Sequence, residues 1–412
     1  MEYGLIGEHL PHSFSAVIHG MIAPYTYTLE ELAPEALDAF MTEKAFRAIN
    51  VTIPYKQAVI PYLSEISPRA QAIGAVNTIV NHDGQLMGYN TDFGGMKALA
   101  ERLGLDFKDR KVLILGTGGT SKTARAVAES SGASAVYRVS RSGREGALTY
   151  EEAYAAHSDA QIIINTTPCG MFPRADACPI ELDRFDALEG VIDAIYNPLR
   201  TRLVLEAQKR GIRAEGGLYM LVAQAVLAAE YFMDTSLDSG LIPAIYGRLA
   251  AEKENIVLTG MPGGGKTTIG KLLARDLGRP LLDVDACIVE KAGMPITDIF
   301  AQFGEPYFRD LETEVIRELS TRNGLIISTG GGSPLRQQNV DALRSNGRIW
   351  FLDRPLEALL PTDDRPLANS AEKIRALYAA RYEIYCRTAD EILPVNGTPQ
   401  STAEAIESRY RA

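Results

Sequence analysis

Short apolar runs, each closed by glycine or polar residues and followed by a stretch of helical periodicity, recur through most of the chain. Such alternation predicts βαβ units and parallel sheets. KVLILG at 111, AVYRVS at 135, QIIINTT at 161 and GVIDAIY at 190 read as four strands of one such unit. A second series opens with NIVLTG at 255 and continues through PLLDVD at 280, GLIISTGG at 324 and RIWFLD at 348. Between them GGLYMLVAQAVLAAEYFM, from 216, is strongly helical, and GRLAAEKEN, from 247, reads as a charged linker. The boundary between two different α/β folds is expected near residue 252, with no internal repeat relating them.

A chain of 412 residues accommodates two or three domains. With 46% hydrophobic and 23% charged residues it has the composition of an ordinary globular protein. A formal charge of -10 argues against a nucleic-acid partner, which selects for excess Lys and Arg, but not against small anions, which need only local positive charge. No apolar run approaches the length of a membrane span, and MEYGLIGEHL lacks the basic start of a signal peptide. A cytoplasmic protein without a membrane partner is expected; nothing in the sequence reports its oligomeric state. Cys169, Cys178, Cys287 and Cys386 form no CxxC pair and read as reduced packing residues. The five histidines show no metal-ligand spacing, so no zinc centre is expected.

Candidate chemistry begins with GMPGGGKTT. Gly260, Gly265, Lys266 and Thr267 satisfy G-x-x-x-x-G-K-[ST] directly after an apolar strand and before a helical run. In such a loop the glycines let backbone N–H groups wrap phosphates, Lys266 reaches the outer ones, and the Thr267 hydroxyl can ligate Mg²⁺. Downstream, LLDVDACIVE sets Asp283 and Asp285 two apart at a strand end, where both side chains are expected on one face. Arg309 and Glu312 in GEPYFRDLE, the turn Gly330, Gly331 and Gly332, Arg365 in DDRPL and Arg381 in AARYEIY complete the set. Two arginines and a glycine turn suit a small carboxylate, since Arg binds carboxylates bidentately.

Residues 255 to 412 resemble shikimate kinase, on GMPGGGKTT, DVD, FRDLE, STGGG, RPL and RYEIY in order. The resemblance implies a P-loop, nucleoside monophosphate kinase-like α/β domain. It makes Gly260, Gly263, Gly264, Gly265, Lys266, Thr267, Thr268 and Arg365 the ATP site, with Thr267 and Asp283 ordering Mg²⁺. Asp285 becomes the substrate-hydroxyl ligand and candidate base, and Arg309 and Arg381 the carboxylate clamp beside Gly330, Gly331 and Gly332. Lys266, Asp285 and Arg365 are its expected catalytic residues, Arg365 coming from a lid. That lid segment, EALLPTDDRPL, is short and acidic, with no basic residue ahead of Arg365.

The first half carries a polar set on loops flanked by apolar residues: Ser13 and Ser15 in LPHSFSAVIHG, Asn50, Thr52 and Lys56 in INVTIPYKQ, Asn77 in GAVNTI, and Asn90, Thr91 and Asp92 in GYNTDFGG. In an extended loop both serine hydroxyls would face one ligand. Hydroxyl, amide, ammonium and carboxylate groups in this number suit a polyhydroxylated ring. Gly116, Gly118 and Gly119 follow the strand VLIL, with Ser121 in the third glycine position of G-x-G-x-x-G. The next strand ends in VSRSGRE, so Ser140, Arg141 and Arg144 stand where a carboxylate would select NAD; they suit the 2′-phosphate of NADP.

These blocks, with DAIYNPLRT and GGLYMLVAQA, resemble shikimate dehydrogenase over residues 1–250. The resemblance implies a substrate-binding domain at about 1–98 and 219–250 and a Rossmann NADP domain at about 99–218. It makes Lys56 and Asp92 the acid/base pair, Ser13 and Ser15 the carboxylate contacts, and Thr52, Asn77, Asp92 and Gln224 the hydroxyl contacts, with Tyr196 lining the substrate end of the cleft. Ala16 stands where the family has proline, and NTTPCGM replaces its Asn-Ala-Thr-Ser run.

Together the resemblances imply a bifunctional enzyme of the shikimate pathway. It would reduce 3-dehydroshikimate to shikimate with NADP(H), then phosphorylate the shikimate 3-hydroxyl with ATP and Mg²⁺. Two alternatives remain at this point: a metabolite-sensing regulator that binds without turnover, and an active dehydrogenase joined to an impaired kinase. A sensor predicts loss of Lys56, Asp92, Lys266 or Asp283, and all four are present.

Overall fold

The computed structural model of the protein describes residues 1–10, 13–144, 146–359 and 370–411; Arg365 lies outside the described residues. The chain divides into a first unit, Met1–Leu249, and a second, Ala250–Ala412. The helix Leu241–Lys253 runs through the point of division, so the segment expected to be a linker from 247 is helical as far as Lys253. Its Arg-Leu-Ala-Ala-Glu-Lys run consists of good helix formers, and the charge that suggested a linker is a solvated helix face.

The first unit holds two sheets. In one, β1 (Tyr3–Gly7), β2 (Tyr27–Glu31), β3 (Ala48–Val51), β4 (Glu65–Ile66), β5 (Thr78–His82) and β6 (Gln85–Tyr89) lie in the order β2-β1-β3-β5-β6-β4. β1 is parallel to β2 and β3, and β5 is antiparallel to β3 and β6. The other sheet comprises β7 (Lys111–Leu115), β8 (Ala135–Val139), β9 (Ile162–Asn165), β10 (Gly190–Asp193) and β11 (Arg213–Glu215), ordered β11-β10-β9-β7-β8 with every pairing parallel. β7 to β10 are the four expected strands; β11 is too short and polar to register as an apolar run.

Alternation along these strands splits the core. Val112, Ile114, Ile162 and Ile164 pack on one face with Met96, Leu99 and Val127, while Leu113, Leu115, Ile163 and Val191 pack on the other with Leu203 and Val204. Helices cover both faces, which is why the central strands β7, β9 and β10 read as apolar runs. Strand order reverses around β7, with β8 on one side and β9 on the other, and a ligand crevice forms beyond the carboxyl ends of strands at such a point.

The helices Asp92–Arg102 and Leu218–Met233 approach closely at glycine. A Cβ on Gly95 would lie 2.6 Å from the Met220 carbonyl oxygen and 3.0 Å from Gln224 Cβ. Only a residue without a side chain permits that contact, and it brings Gln224 alongside the first turn of the Asp92 helix.

The second unit is one parallel sheet: β12 (Asn255–Thr259), β13 (Leu281–Asp283), β14 (Ile326–Ser328), β15 (Gly347–Asp353) and β16 (Glu391–Pro394), ordered β13-β14-β12-β15-β16. Val257, Ile327 and Ile349 face one core cluster, and Ile256, Leu258, Trp350 and Leu352 the other. β12 is central and flanked by β14 and β15, so the GMPGGGKTT loop leaves the sheet at its own reversal point. Among the described residues no helix is long and apolar enough to cross a membrane.

Asp193 ends β10 fully buried. It accepts hydrogen bonds from Thr201 Oγ1 at 2.6 Å, the Ile195 amide at 3.0 Å and Asn165 Nδ2 at 3.0 Å, tying the end of β9 to the loop that carries Tyr196. Burial raises its carboxyl from 3.8 to about 7, with the three hydrogen bonds opposing the shift. The folded carboxyl therefore keeps its proton over a range where the unfolded chain has released it. The stability this confers is complete below the unfolded value of 3.8 and is lost as pH rises through about 7. Asp193→Asn keeps the shape without the titration. Relative to that variant, the wild-type first unit should lose about 2–3 kcal/mol between pH 5 and pH 8. Urea titrations followed by hydrogen exchange of β9 and β10 peptides measure this; superimposable pH profiles would contradict it.

Candidate active sites

In the first unit, Lys56, from the turn after β3, and Asp92, from the start of a helix, meet. Lys56 Nζ donates to Asp92 Oδ2 at 2.5 Å, with side chains only 14% and 9% exposed. Asp92 opens the helix Asp92–Arg102, where the positive end of the helix dipole favours a carboxylate. Lys56 is oriented by its own backbone, whose carbonyl accepts from the Val76 amide at 2.8 Å next to Asn77.

Asn77 is held on both ends of its amide. Its Oδ1 accepts from the Thr91 amide at 2.7 Å and from Thr78 Oγ1 at 3.1 Å; its Nδ2 donates to Thr91 Oγ1 at 3.0 Å and Gln224 Oε1 at 3.4 Å. Asn50 extends the network, donating to Thr78 Oγ1 at 3.1 Å and accepting from Tyr27 Oη at 2.7 Å. Buried amides and hydroxyls satisfied in this way have fixed orientations, which a ring of stereospecific hydroxyls requires. Thr52 follows β3 half-buried, its amide bonded to the Ile6 carbonyl at 2.9 Å.

Ser13 and Ser15 do not sit in an extended loop. Ser15 is buried at the start of the helix Ser15–Ile22, and its amide donates to Ser13 Oγ at 3.2 Å, so the two are joined by a turn rather than by strand alternation. Phe14 between them packs against Tyr196, ring centroids 5.4 Å apart. The helix is anchored by His19, stacked 3.8 Å from the Tyr27 ring with Nδ1 2.6 Å from Tyr25 Oη. Burial pushes His19 down to about 3, so it stays neutral and is a packing residue, not a proton carrier.

The cofactor loop lies against this set. Gly116 has φ +112°, and a Cβ there would lie 2.8 Å from Thr166 Oγ1; Gly118 faces open space ahead of the helix Gly119–Ser130. A Cβ on Gly119 would lie 3.8 Å from Lys56 Cδ, which puts the loop next to the lysine. Ser121 is buried with Oγ bonded to the Gly116 carbonyl at 2.7 Å; the hydroxyl closes the turn where a third glycine would leave it open. Beyond β8, Ser140 Oγ is buried with no hydrogen-bond partner among the described residues, and Arg141 and Arg144 are exposed. An orphan hydroxyl beside two exposed guanidinium groups fits a phosphate-bearing ribose.

In the second unit Gly260, Gly263 and Gly265 take φ of +142°, +80° and +91° around the loop. Gly264 is buried, Lys266 Nζ donates to the Gly260 and Met261 carbonyls at 2.9 and 3.0 Å, and Thr268 is exposed on the first helical turn. Thr267 Oγ1 donates to Asp283 Oδ2 at 3.0 Å. A hydroxyl and a carboxylate side by side fit Mg²⁺, which takes few protein oxygens and shares phosphate oxygens and water. Arg354, absent from the expected set, follows β15 half-buried; a Cβ on Gly265 would lie 3.9 Å from its Nη1, so it adds positive charge at the loop. Its signal was its position just past the strand neighbouring β12.

Asp283 and Asp285 are not strand neighbours. Asp283 caps the helix Val284–Ala292, its Oδ1 accepting from the Asp285 amide at 3.1 Å, and Asp285 belongs to the first turn of that helix. The period-two expectation fails because the strand stops at Asp283. Even so, Asp285 reaches the glycine turn: a Cβ on Gly330 would lie 2.9 Å from both Asp285 Oδ1 and Glu312 Oε1. Fully buried Glu312 accepts from Arg309 Nη1 at 2.9 Å and Ser333 Oγ at 2.7 Å, and the Arg309 guanidinium packs directly on Gly332, where a Cβ would push it aside. Arg381 and Tyr385, one helical turn apart on Ala371–Thr388, both donate to the Gly331 carbonyl, Arg381 at 3.1 Å. Burial pushes the Tyr385 hydroxyl up to about 12, keeping it a donor.

A dinucleotide crevice facing a Lys–Asp pair and a polar network defines the first unit as an NADP-type oxidoreductase fold, and a phosphate loop facing a carboxylate and two arginines defines the second as a P-loop kinase fold. The family model "Shikimate dehydrogenase substrate binding domain" matches residues 5–79, and "Shikimate kinase" matches residues 262–410. The NADP(+) shikimate dehydrogenase of Clostridium beijerinckii is 36% identical over 261 residues, covering 59% of this chain and 96% of that protein. That of Geobacillus kaustophilus is 38% identical over 250 residues, covering 55% and 91%. Among solved structures, shikimate dehydrogenase 1 from Peptoclostridium difficile superposes with a TM-score of 0.56 at 35% identity, covering 60% of this chain and 98% of that one. A chorismate mutase/shikimate 5-dehydrogenase fusion protein from Clostridium acetobutylicum gives 0.57 at 33%, covering 60% and 96%. The chain belongs to the shikimate dehydrogenase family and carries a shikimate kinase domain after it.

Thr91 is the hub of the amide network, and Thr91→Val removes its hydroxyl at constant shape. With Asn77 Nδ2 left one long bond, the first unit should lose about 1–2 kcal/mol, and the KM for shikimate in the dehydrogenase direction should rise severalfold. Unchanged stability and unchanged KM would show that Asn77 needs no such support.

Proposed function

We propose that the chain is a bifunctional enzyme that reduces 3-dehydroshikimate to shikimate and then phosphorylates the 3-hydroxyl of shikimate. The observation that carries this is the pairing, in both units, of a nucleotide loop with groups suited to one hydroxylated carboxylate: Lys56, Asp92, Asn77 and Gln224 in the first, Asp285, Arg309 and Arg381 in the second. When bound, NADPH supplies the hydride, ATP the phosphoryl group, and Mg²⁺ neutralises phosphate charge.

The protein's part in the reduction is to orient the ring and deliver a proton. Ser13 and Ser15 receive the carboxylate, Thr52, Asn77 and Gln224 the hydroxyls, and Tyr196 closes the substrate end. Lys56 Nζ donates to the ketone oxygen as negative charge develops on it, and Asp92, 2.5 Å away, holds the ammonium in line and keeps the hydroxyl side anchored. Ser140, Arg141 and Arg144 favour the 2′-phosphate, hence NADP(H).

In the kinase unit, Arg309 and Arg381 hold the carboxylate, the turn Gly330, Gly331 and Gly332 lets the ring approach, and Asp285 orients the acceptor hydroxyl and takes its proton. Lys266 and Arg365 neutralise the transferring phosphoryl group, while Thr267 and Asp283 hold the metal. Substrates and nucleotides of this kind are cytoplasmic metabolites, and the proposed enzyme works there.

A steady-state assay of the intact chain with shikimate, offered NADP⁺, NAD⁺ and ATP in turn, tests both assignments. Activity is expected with NADP⁺ and with ATP, and no ADP release at saturating Mg²⁺ would sink the kinase assignment. Lys56→Ala should abolish NADP-linked oxidation of shikimate and spare phosphorylation. Lys266→Ala should do the reverse, and ADP production at the wild-type rate would rule out its phosphate role.

A further inference from the structure

Arg309, assigned above to the substrate carboxylate, already donates from each of its three nitrogens. Glu312 Oε2 accepts from Nη1 at 2.9 Å, and Glu305 Oε1 accepts from Nε at 3.2 Å and Nη2 at 3.1 Å. The Nε–Nη2 edge of a guanidinium is a fork to which a carboxylate binds side-on. The two glutamates differ in freedom. Glu312 is fully buried and pinned by Ser333, whereas the Glu305 side chain is 50% exposed. Gly304, with φ 80° and ψ 174°, breaks the helix Ile296–Ser320 immediately before it, so Glu305 stands in the first turn of the second helical stretch.

Burial disfavours the Arg309 cation, yet Glu312 and Glu305 outweigh it and hold the guanidinium above its ordinary range. Arg381 adds a second cation beside Arg309, so the charge of the cluster alone does not bar a substrate carboxylate; the occupied edge does. A substrate carboxylate can take the Nε–Nη2 edge only if Glu305 leaves it, and of the two glutamates only Glu305 has solvent to leave into.

We propose that Glu305 is an internal stand-in for the substrate carboxylate: it occupies the binding edge of Arg309 in the empty site and is displaced into water when shikimate takes that edge. This rests on the assignment of Arg309 as the carboxylate clamp. Glu305 is then a specificity-determining residue, because only a ligand whose own carboxylate replaces it regains the lost bonds. Apparent affinity is reduced by the fraction of time the edge is occupied. For a half-exposed ion pair that reduction is about two- to fivefold.

The test is the kinase KM and kcat of the full chain carrying Glu305→Gln, which keeps the size and removes the charge. The KM for shikimate should fall about two- to fivefold with kcat moving much less. The KM for shikimate methyl ester, which has no carboxylate to exchange, should not fall, and the dehydrogenase KM of the same preparation serves as an internal control. An unchanged or raised kinase KM for shikimate overturns the proposal. Arg309→Ala separates the levels. If it raises the KM tenfold or more while Glu305→Gln does nothing, only the exchange is wrong; if it leaves the KM unchanged, the clamp assignment falls and the exchange with it.

Discussion

Charge withdrawn from water is what both units must hold in place, and each does so by pairing it with a carboxylate of fixed position. Lys56 and Asp92 lie 2.5 Å apart in the first unit; Arg309 and fully buried Glu312 lie 2.9 Å apart in the second. Removing one member of such a pair leaves an uncompensated charge, at a cost of about 3–5 kcal/mol when burial is complete. The surrounding polar groups follow from this. Asp92 sits at a helix start, Glu312 also accepts from Ser333, and Asn77 is fixed at both ends, so each carboxylate and the amide beside it is held in place by groups other than the cation.

The sheets supply the geometry. In each parallel sheet the nucleotide loop follows the strand at which order reverses, Gly116 after β7 and Gly260 after β12. Loop residues from neighbouring strands then converge without any strand having to bend: Thr166 meets Gly116, and Arg354 meets Gly265. In the first unit the antiparallel pairing of β5 with β3 and β6 turns Asn77 toward Gln224, and Gly95 lets the Gln224 helix close in.

The parallel strands were legible because helices cover both of their faces, so Val112 to Leu115 and Ile256 to Leu258 are apolar without interruption. The N-terminal sheet was not, since β2 is only half-buried and β4 is two residues long. Motif residues were legible in kind but not always in setting. Asp285 was expected on a strand and lies in a helix; Ser15 was expected in an extended loop and begins one. In both cases a helix starts where an extended segment was read, under the Asp283 cap for Asp285 and without a capping side chain at Phe14 for Ser15. Arg354 and Glu305 carry no motif, and their relevance depends on distances across the fold that local spacing does not encode.

One chain is expected to perform two consecutive reactions on one ring. Phosphorus NMR of the purified chain supplied with 3-dehydroshikimate, NADPH, ATP and Mg²⁺ reads both steps in one sample. A shikimate 3-phosphate resonance should grow in step with ADP, and only when NADPH is present. Accumulation of shikimate without a new phosphate ester, or no consumption of 3-dehydroshikimate, would contradict it.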